Sequence, residues 1–329
     1  MMKISFNELL NFLILNKEKR FLITFHSIGD RDSIGSAIAL HSYLTNSIIA
    51  MPDLITNSSR RVLESLSAPP KIGNKIPSDI FGTIVVDANS LEATGQLEKQ
   101  IKKTKKSILF IDHHEPNKSD ELKAMVFADQ AYNSTSSLIH HILTSLGVKV
   151  ETDASVALLN GIVADSANFH NMHALTFKQV SELLHSAGMT YSEFLERFGP
   201  RVPPQSRLDS LKEVCSASRI IAGNNLILYG PATTHASIAA ETAIDAGADA
   251  AVFWLIGKKE VSISARLRPP LEREFSIHLG KIMQEIGPMV GGSGGGHPAA
   301  AGAYGPKVNM AGKATDKILF ELKKKLSQV

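Results

Sequence analysis

Ser107-Ile108-Leu109-Phe110-Ile111-Asp112-His113-His114 is a short apolar run that ends abruptly in a carboxylate and two imidazoles. Its consecutive apolar residues, Ile108 to Ile111, read as a buried strand of a parallel sheet. Pro116 then opposes continuation of either a strand or a helix. In an open α/β sheet, ligands bind just beyond the carboxyl ends of the strands, so Asp112, His113 and His114 stand where chemistry is expected. Taken alone, the tripeptide reads equally well as a polar turn in which Asp112 caps the next helix. What weighs against the turn is that the pattern recurs along the chain.

Upstream, the apolar run Phe21 to Phe25 stops at His26-Ser27-Ile28-Gly29-Asp30-Arg31-Asp32-Ser33 before a helical run from Ala37 to Leu44. Asp32 or Ser33 is expected to cap that helix. Neither cap explains His26 and Asp30. A second apolar run, Thr83 to Val86, ends in Asp87, which is a turn or cap residue unless it belongs with the others. Downstream, Asp153 opens a mostly apolar helix, Ala154 to Ala164, that delivers Asp165. A carboxylate after so long an apolar stretch is costly to bury unless it is paired, hydrogen-bonded or coordinating a metal.

At 329 residues, 43% hydrophobic and 20% charged, the chain is long enough for two soluble domains, each with its own core. The formal charge of +3 suits an anionic substrate without requiring a long nucleic acid. A single cysteine, Cys215, excludes an intramolecular disulfide and is compatible with a reducing cytosol, so a cytoplasmic protein is expected. The apolar run Leu9 to Leu15 is broken by Asn11 and has neither the length of a membrane span nor a signal-peptide cleavage site. It follows Ser5-Phe6-Asn7-Glu8, which has the spacing of a capping box and predicts an amphipathic first helix. Lys102, Lys103, Lys105 and Lys106 read as a solvated helix end.

The composition changes near Thr190. Pro200, Pro203 and Pro204, followed by a helical-looking stretch from Ser206 to Ile221, read as a connector over 191–222, between a first domain at 1–190 and a second at 223–329. The second alternates strands near 226–229, 250–256 and 260–268 with helices near 236–246, 274–286 and 310–326, a small α/β domain. Inside it lies Gly291-Gly292-Ser293-Gly294-Gly295-Gly296-His297-Pro298-Ala299-Ala300-Ala301-Gly302. Read by composition this is a flexible linker. Its place within a domain favours instead a backbone that converges on an anion, with Arg266 and His297 adding charge-assisted bonds to phosphate.

His26, Asp30, Asp32, Asp87, His113 and Asp165 are hard oxygen and borderline nitrogen donors with no thiolate among them. Such a set suits Mn²⁺ or Mg²⁺ and argues against structural zinc or an iron–sulfur cluster. Six donors are too many for one catalytic ion that keeps open positions. Two ions roughly 3.5 to 4 Å apart, bridged by a carboxylate, would use them all to activate water.

Taken in order, these motifs resemble those of the DHH phosphoesterase superfamily with a DHH-associated C-terminal domain. His26 to Asp32 resembles the first motif, Asp87 the second, Asp112-His113-His114 the third and Asp165 the fourth. Gly294-Gly295-Gly296-His297 with Ala300-Ala301-Gly302 resembles the glycine-rich motif of the associated domain. The resemblance implies an α/β fold: an N-terminal, mostly parallel-sheet catalytic domain, a smaller α/β substrate-binding domain, and an active site in the interdomain cleft. It further implies that His26, Asp30 and Asp87 hold one Mn²⁺ and that Asp32, Asp87, His113 and Asp165 hold a second, with Asp87 bridging and Mg²⁺ as the other candidate ion. Asp112 would orient these ligands, and His114 would lie near the scissile phosphate. Arg266, Gly294, Gly295, Gly296 and His297 would bind substrate.

Two departures stand out. Ile28-Gly29 occupies the place where the family commonly has Asn-Pro, and Asn168-Phe169-His170 stands where relatives often carry a Phe-Arg pair. The activity expected from the resemblance is that of a nanoRNase or nucleotide phosphatase, acting on short oligonucleotides or on 3'-phosphoadenosine 5'-phosphate. A cyclic di-AMP phosphodiesterase, a RecJ-type single-strand exonuclease and a catalytically weak nucleotide- or RNA-binding protein are the alternatives. A nucleotide or short oligonucleotide is the expected partner, with no membrane, and a homodimer is left open.

Overall fold

The apolar strands of the first half have no polar face to show to water, and they lie where such strands must, in a parallel sheet with an apolar cluster on each side. The computed structural model describes residues 2–115, 124–166, 169, 172–199 and 202–328. The chain divides into two units, Met1–Pro200 and Arg201–Val329. The expectation for Pro116 lies outside the described residues, as do those for Asn168 and His170.

The first unit runs β1 (Met2–Lys3), α1 (Phe6–Leu15), β2 (Phe21–Thr24), β3 (Ile28–Gly29), α2 (Arg31–Tyr43), β4 (Ile48–Ala50), β5 (Leu54–Ile55), α3 (Asn57–Ser65), β6 (Ile72–Gly73), β7 (Gly82–Val86), α4 (Leu97–Thr104), β8 (Ser107–Asp112), β9 (Ala124–Ala128), α5 (Thr135–Ser145), α6 (Thr152–Asp165), α7 (Ala174–Ala187) and α8 (Tyr191–Phe198). Its sheet has the order β1-β9-β8-β7-β2-β4-β6, with parallel pairing throughout. From β2 the chain adds strands toward one edge, and from β7 it adds them toward the other. The direction of winding therefore reverses between β2 and β7, and at such a switch point the loops after the two strands diverge and leave a crevice. Thr24 pairs with Val85 and Val86 with Ile111, so the residues that follow β2, β7 and β8 emerge side by side at that crevice.

The capping box forms as expected, with the Ser5 hydroxyl accepting from the Glu8 N–H and Glu8 accepting from the Ser5 N–H. For α2 the expected cap is corrected. Asp30 is the N-cap, its Oδ1 accepting from the N–H groups of Asp32 and Ser33, which leaves Asp32 inside the first turn and fully buried. Helices α2 and α6 pack backbone to backbone. A Cβ on Gly35 would stand 2.4 Å from the Ala157 carbonyl oxygen, and one on Gly161 would stand 2.1 Å from Ser136 Oγ and 2.7 Å from Asp32 Oδ1.

The second unit runs α9 (Pro204–Ser216), β10 (Ser218–Ala222), β11 (Asn225–Pro231), α10 (Ala236–Asp245), β12 (Ala250–Ile256), β13 (Val261–Leu267), α11 (Leu271–Glu274), α12 (Leu279–Met289), β14 (Ser293–Gly296), β15 (Ala300–Gly305) and α13 (Ala311–Leu326). Its sheet, β10-β11-β12-β13-β15-β14, is antiparallel except for the β11–β12 pair. The stretch expected as a connector is folded. Phe194 and Phe198 of α8 bury into the core of the first unit, while Ser218–Ala222 turns back at Gly223 to pair with β11 and so ends the expected helix at Ser216. The helix expected over 274–286 is likewise two helices, because Ser276 adopts a left-handed backbone and His278 caps α12. Among the described residues no helix is long and apolar enough to cross a membrane.

The glycine-rich run is an edge strand under α12. A Cβ on Gly294 would meet the Met283 carbonyl oxygen at 2.0 Å, one on Gly280 would meet the Gly296 carbonyl oxygen at 1.9 Å, and one on Gly287 would meet the Gly294 nitrogen at 2.4 Å. Helix and strand therefore touch through bare backbone. The run is thus a strand rather than a loop, and the space beside Gly294 is taken up by the helix.

Candidate metal centre

Three strand ends and two helices build the site. His26 follows β2, Asp30 and Asp32 open α2, Asp87 follows β7, Asp112 ends β8 with His113 and His114 next, and Asp165 ends α6. Their donor atoms fall into clusters, each of which could hold an ion. His26, Asp30 and Asp87 form one, and Asp32, His113 and Asp165 form another; Asp87, Asp112, His113 and His114 also approach one another. His26 Nε2 lies 3.5 Å from Asp30 Oδ2 and 3.5 Å from Asp87 Oδ2, while His113 Nε2 lies 3.4 Å from Asp165 Oδ2 and 3.9 Å from Asp87 Oδ1. The two oxygens of Asp87 thus point to different clusters.

Asp87 is held in that position by its backbone. It has φ of 55°, a left-handed conformation that most side chains avoid and aspartate tolerates, and its N–H donates to the Ile111 carbonyl across the sheet. Its carboxylate accepts from Ser33 Oγ at 2.8 Å and from Thr135 Oγ1 at 3.1 Å. Asp32 is fixed from another direction. The N-terminus of α5 is aimed at it, with the Thr135 N–H donating to Oδ2 at 2.7 Å and the Ser136 N–H to Oδ1 at 2.8 Å. Asp112 is 1% exposed and turns inward, its Oδ1 accepting from the His114 backbone N–H at 3.1 Å and lying 2.9 Å from His114 Nδ1. That contact orients the half-exposed imidazole of His114.

The electrostatics of this arrangement are those of a site built around positive charge. Burial pushes Asp32 well above the usual carboxylate range, and Asp87 and Asp165 add to the shift. Burial also works against the imidazolium of His26, yet hydrogen bonds to Asp30 and Asp87 raise its pKa to about 10. In the same way Asp165, Asp32 and Asp87 overcome burial at His113 and raise it to about 9. His26 is the chief reason that Asp87, despite burial, is lowered to about 2. The fit to a cation is direct: His113 Nε2 and Asp112 Oδ2 are buried with no hydrogen-bond partner, and the nearby carboxylates outnumber the cations among them. This buried acidic and imidazole cluster is able to bind metal.

Thr135, Ser136 and Ser33 are functional neighbours that the motif reading missed. Ser134-Thr135-Ser136-Ser137 signals a helix start, and Ser134 is indeed the cap of α5, but nothing in the spacing tells which carboxylate that helix faces. The departure at Ile28-Gly29 has a local cause. The pair forms a short strand beside Leu54–Ile55, and a Cβ on Gly29 would meet the Phe25 ring at 2.6 Å.

In the second unit, Arg266, Gly295, Gly296 and His297 line a cavity of about 570 Å³ together with His235 and Tyr304. Arg266 donates to Ser264 Oγ at 3.2 Å and to the Ala265 carbonyl at 3.1 Å. Gly295 faces open space, whereas Gly294 is taken up by packing.

Comparison with known proteins agrees with this architecture. Residues 20–162 match the model of the DHH family N-terminal domain, and residues 229–327 match the DHHA1 domain. An uncharacterized protein of Methanocaldococcus jannaschii is 28% identical over 327 residues, covering 96% of this chain and 94% of its own. The crystal structure of an exopolyphosphatase-related protein from Bacteroides fragilis superposes with a TM-score of 0.78 over 98% of both chains at 14% identity, a likeness of fold. With both domain models matched in order on one polypeptide, the chain belongs to the DHH phosphoesterase superfamily, as a DHH domain followed by a DHHA1 domain.

Proposed function

We propose that this chain is a divalent-metal-dependent phosphoesterase that hydrolyses short oligonucleotides or phosphorylated nucleotides such as 3'-phosphoadenosine 5'-phosphate. The observation that supports the reading is Asp87, one carboxylate oxygen of which lies 3.5 Å from His26 Nε2, in a cluster with Asp30, while the other lies 3.9 Å from His113 Nε2, itself clustered with Asp32 and Asp165. His26, Asp30 and Asp87 would hold one ion, and Asp32, Asp87, His113 and Asp165 the other. All donors are oxygen or imidazole nitrogen, which favours Mn²⁺ with Mg²⁺ as the alternative. When bound, such ions lower the pKa of water and offset charge on a phosphoryl group. His114, whose Nδ1 lies 2.9 Å from Asp112 Oδ1, would donate a hydrogen bond from its other ring nitrogen to a phosphate oxygen. In the second unit, Arg266 and His297, which line one cavity, would bind phosphate or nucleotide.

The deciding experiment is a panel of dinucleotides, longer oligonucleotides, cyclic di-AMP and 3'-phosphoadenosine 5'-phosphate with purified protein and Mn²⁺. Rates that fall with chain length and are highest on the shortest substrates support the proposal. Binding without turnover of any of them would make the chain a nucleotide-binding protein instead.

Two further results are expected. His26 and His113, at about 10 and about 9, carry protons at pH 7 that a metal ion must displace. Mn²⁺ binding followed calorimetrically at pH 7, in buffers of different ionisation enthalpy, should therefore release protons. Affinity should rise with pH and level off only above the two folded-state values; affinity independent of pH between 6.5 and 9 would contradict the assignment. Separately, Arg266→Ala should keep its Mn²⁺ by elemental analysis but lose roughly tenfold to hundredfold in kcat/KM on a short oligonucleotide, the scale of a charge-assisted hydrogen bond. On a small artificial phosphodiester the loss should be far smaller. Equal losses on both substrates would remove Arg266 from nucleotide binding.

A further inference from the structure

His113 follows β8 and belongs to the cluster that contains Asp32 and Asp165. Its Nε2 faces those carboxylates, 3.4 Å from Asp165 Oδ2. Its other ring nitrogen, Nδ1, lies 3.3 Å from the carbonyl oxygen of Tyr132. A carbonyl only accepts, so this contact needs a hydrogen on Nδ1 and leaves the lone pair of the neutral ring on Nε2, the form in which an imidazole binds metal. Tyr132 closes a turn after β9, and its own N–H reaches the Asp129 carbonyl only at 3.4 Å. The side chain adds a second hold. The Tyr132 hydroxyl is hydrogen-bonded to His141 Nδ1, nine residues on in α5. The His141 ring is in turn stacked on Phe6 of α1, with centroids 5.0 Å apart and planes 25° from parallel. Helix α5 thus serves two members of one donor cluster. Its first N–H groups hold Asp32, and its His141 holds the turn that meets His113.

We propose that Tyr132 and His141 are positioning residues of the metal centre: His141 anchors the Tyr132 hydroxyl, and the Tyr132 carbonyl sets the tautomer and the orientation of the His113 ring. The proposal rests on the metal-binding reading above and adds to it two residues that are not themselves donors to the ion. A ligand whose orientation is fixed beforehand loses less freedom on binding, and removal of such a support costs metal affinity by roughly tenfold to hundredfold. Neither residue lies in the motifs that mark the site in the sequence, because the link forms only when the turn after β9 folds against α5.

Tyr132→Phe removes the hydroxyl and keeps both the ring and the carbonyl. Calorimetric titration of the full-length, metal-free protein with Mn²⁺ should find affinity about tenfold weaker than in the wild type, with an unchanged circular dichroism spectrum. His141→Leu should weaken it as much and the double variant no further, since both act through one hydrogen bond. His141→Gln, which still offers the hydroxyl an acceptor, should restore most of the affinity. Thr56→Ala, which removes the cap of α3, is the control and should lower Tm without moving Mn²⁺ affinity. The metal-free protein gives a second readout by nuclear magnetic resonance. The His113 Nδ1–H, assigned by its loss in His113→Asn, should exchange with water at least tenfold faster in Tyr132→Phe than in the wild type. Unchanged affinity or unchanged exchange in Tyr132→Phe, losses that multiply in the double variant, or an equal loss of affinity in Thr56→Ala would each overturn the proposal. If His141→Leu does not fold, Tyr132→Phe decides alone. If the wild-type protein binds no Mn²⁺, the metal-binding reading fails, and the exchange rate decides by itself whether Tyr132 positions His113.

Discussion

Asp87→Asn should lower kcat/KM by about a thousandfold or more and strip metal from the protein while leaving it folded. The side chain approaches His26 through one oxygen and His113 through the other, so in the proposed two-ion site loss of its charge would weaken the hold on both ions. Several kcal/mol of metal-assisted stabilisation corresponds to that factor in rate. Asparagine is the informative replacement because it keeps the volume, tolerates the left-handed backbone at φ of 55°, and still offers partners to Ser33 and Thr135. Alanine would confound the result by leaving those hydroxyls and His26 without their acceptor. Elemental analysis, circular dichroism and Mn²⁺-dependent hydrolysis on the same sample separate folding from function. A folded Asp87→Asn protein with full metal content and full activity would defeat the two-ion model.

Gly35→Ala should cost the first unit a large part of its stability. The added Cβ meets a backbone oxygen of α6 at 2.4 Å, and a carbonyl inside a helix cannot rotate away as a side chain can. The helices must separate, at a cost of about 1 to 3 kcal/mol by the scale of overpacked cores. For a unit of this size that is a fall of roughly 2 to 12 °C in Tm, measurable by thermal denaturation of the metal-free protein. Because α2 carries Asp32 and α6 carries Asp165, metal affinity should fall with it. An unchanged Tm would mean that the two helices tolerate separation, and that their contact does not fix the distance between those carboxylates.

Much of this was legible in the chain. The strands that end in His26, Asp87 and Asp112 are short, apolar and buried, so pattern alone locates them, and a polar residue at the end of such a strand has few structural reasons to be there. The candidate donors fall into three clusters, two of which include Asp87. Contacts that join elements distant in sequence were not legible. Asp32 meets the N-terminus of α5 more than a hundred residues later, and only the packed fold chooses that helix over others that start with serine or threonine. That the glycine-rich run forms a strand packed on a helix was not legible for the same reason. A run of glycines announces close approach of backbone to something, and whether that something is a phosphate or a helix depends on which helix lies above it. Ser218 to Ile221 was read as helical because its partner strand, not its own residues, makes it extended.

The bare contact between α12 and β14 bears on how functional maps of this protein should be interpreted. Gly280, Gly287 and Gly294 leave no room for a methyl group, so a mutational scan scored by growth or turnover would mark them as strongly as residues that touch the reacting phosphate. Abundance of soluble protein, scored in parallel, separates the two kinds of intolerance. On the proposed function, Arg266 and His297 would fall in the class whose replacement spares abundance, and the three glycines in the class whose replacement removes it. A scan lacking that second readout would draw the catalytic surface too large, and would draw it through the interior of the second unit.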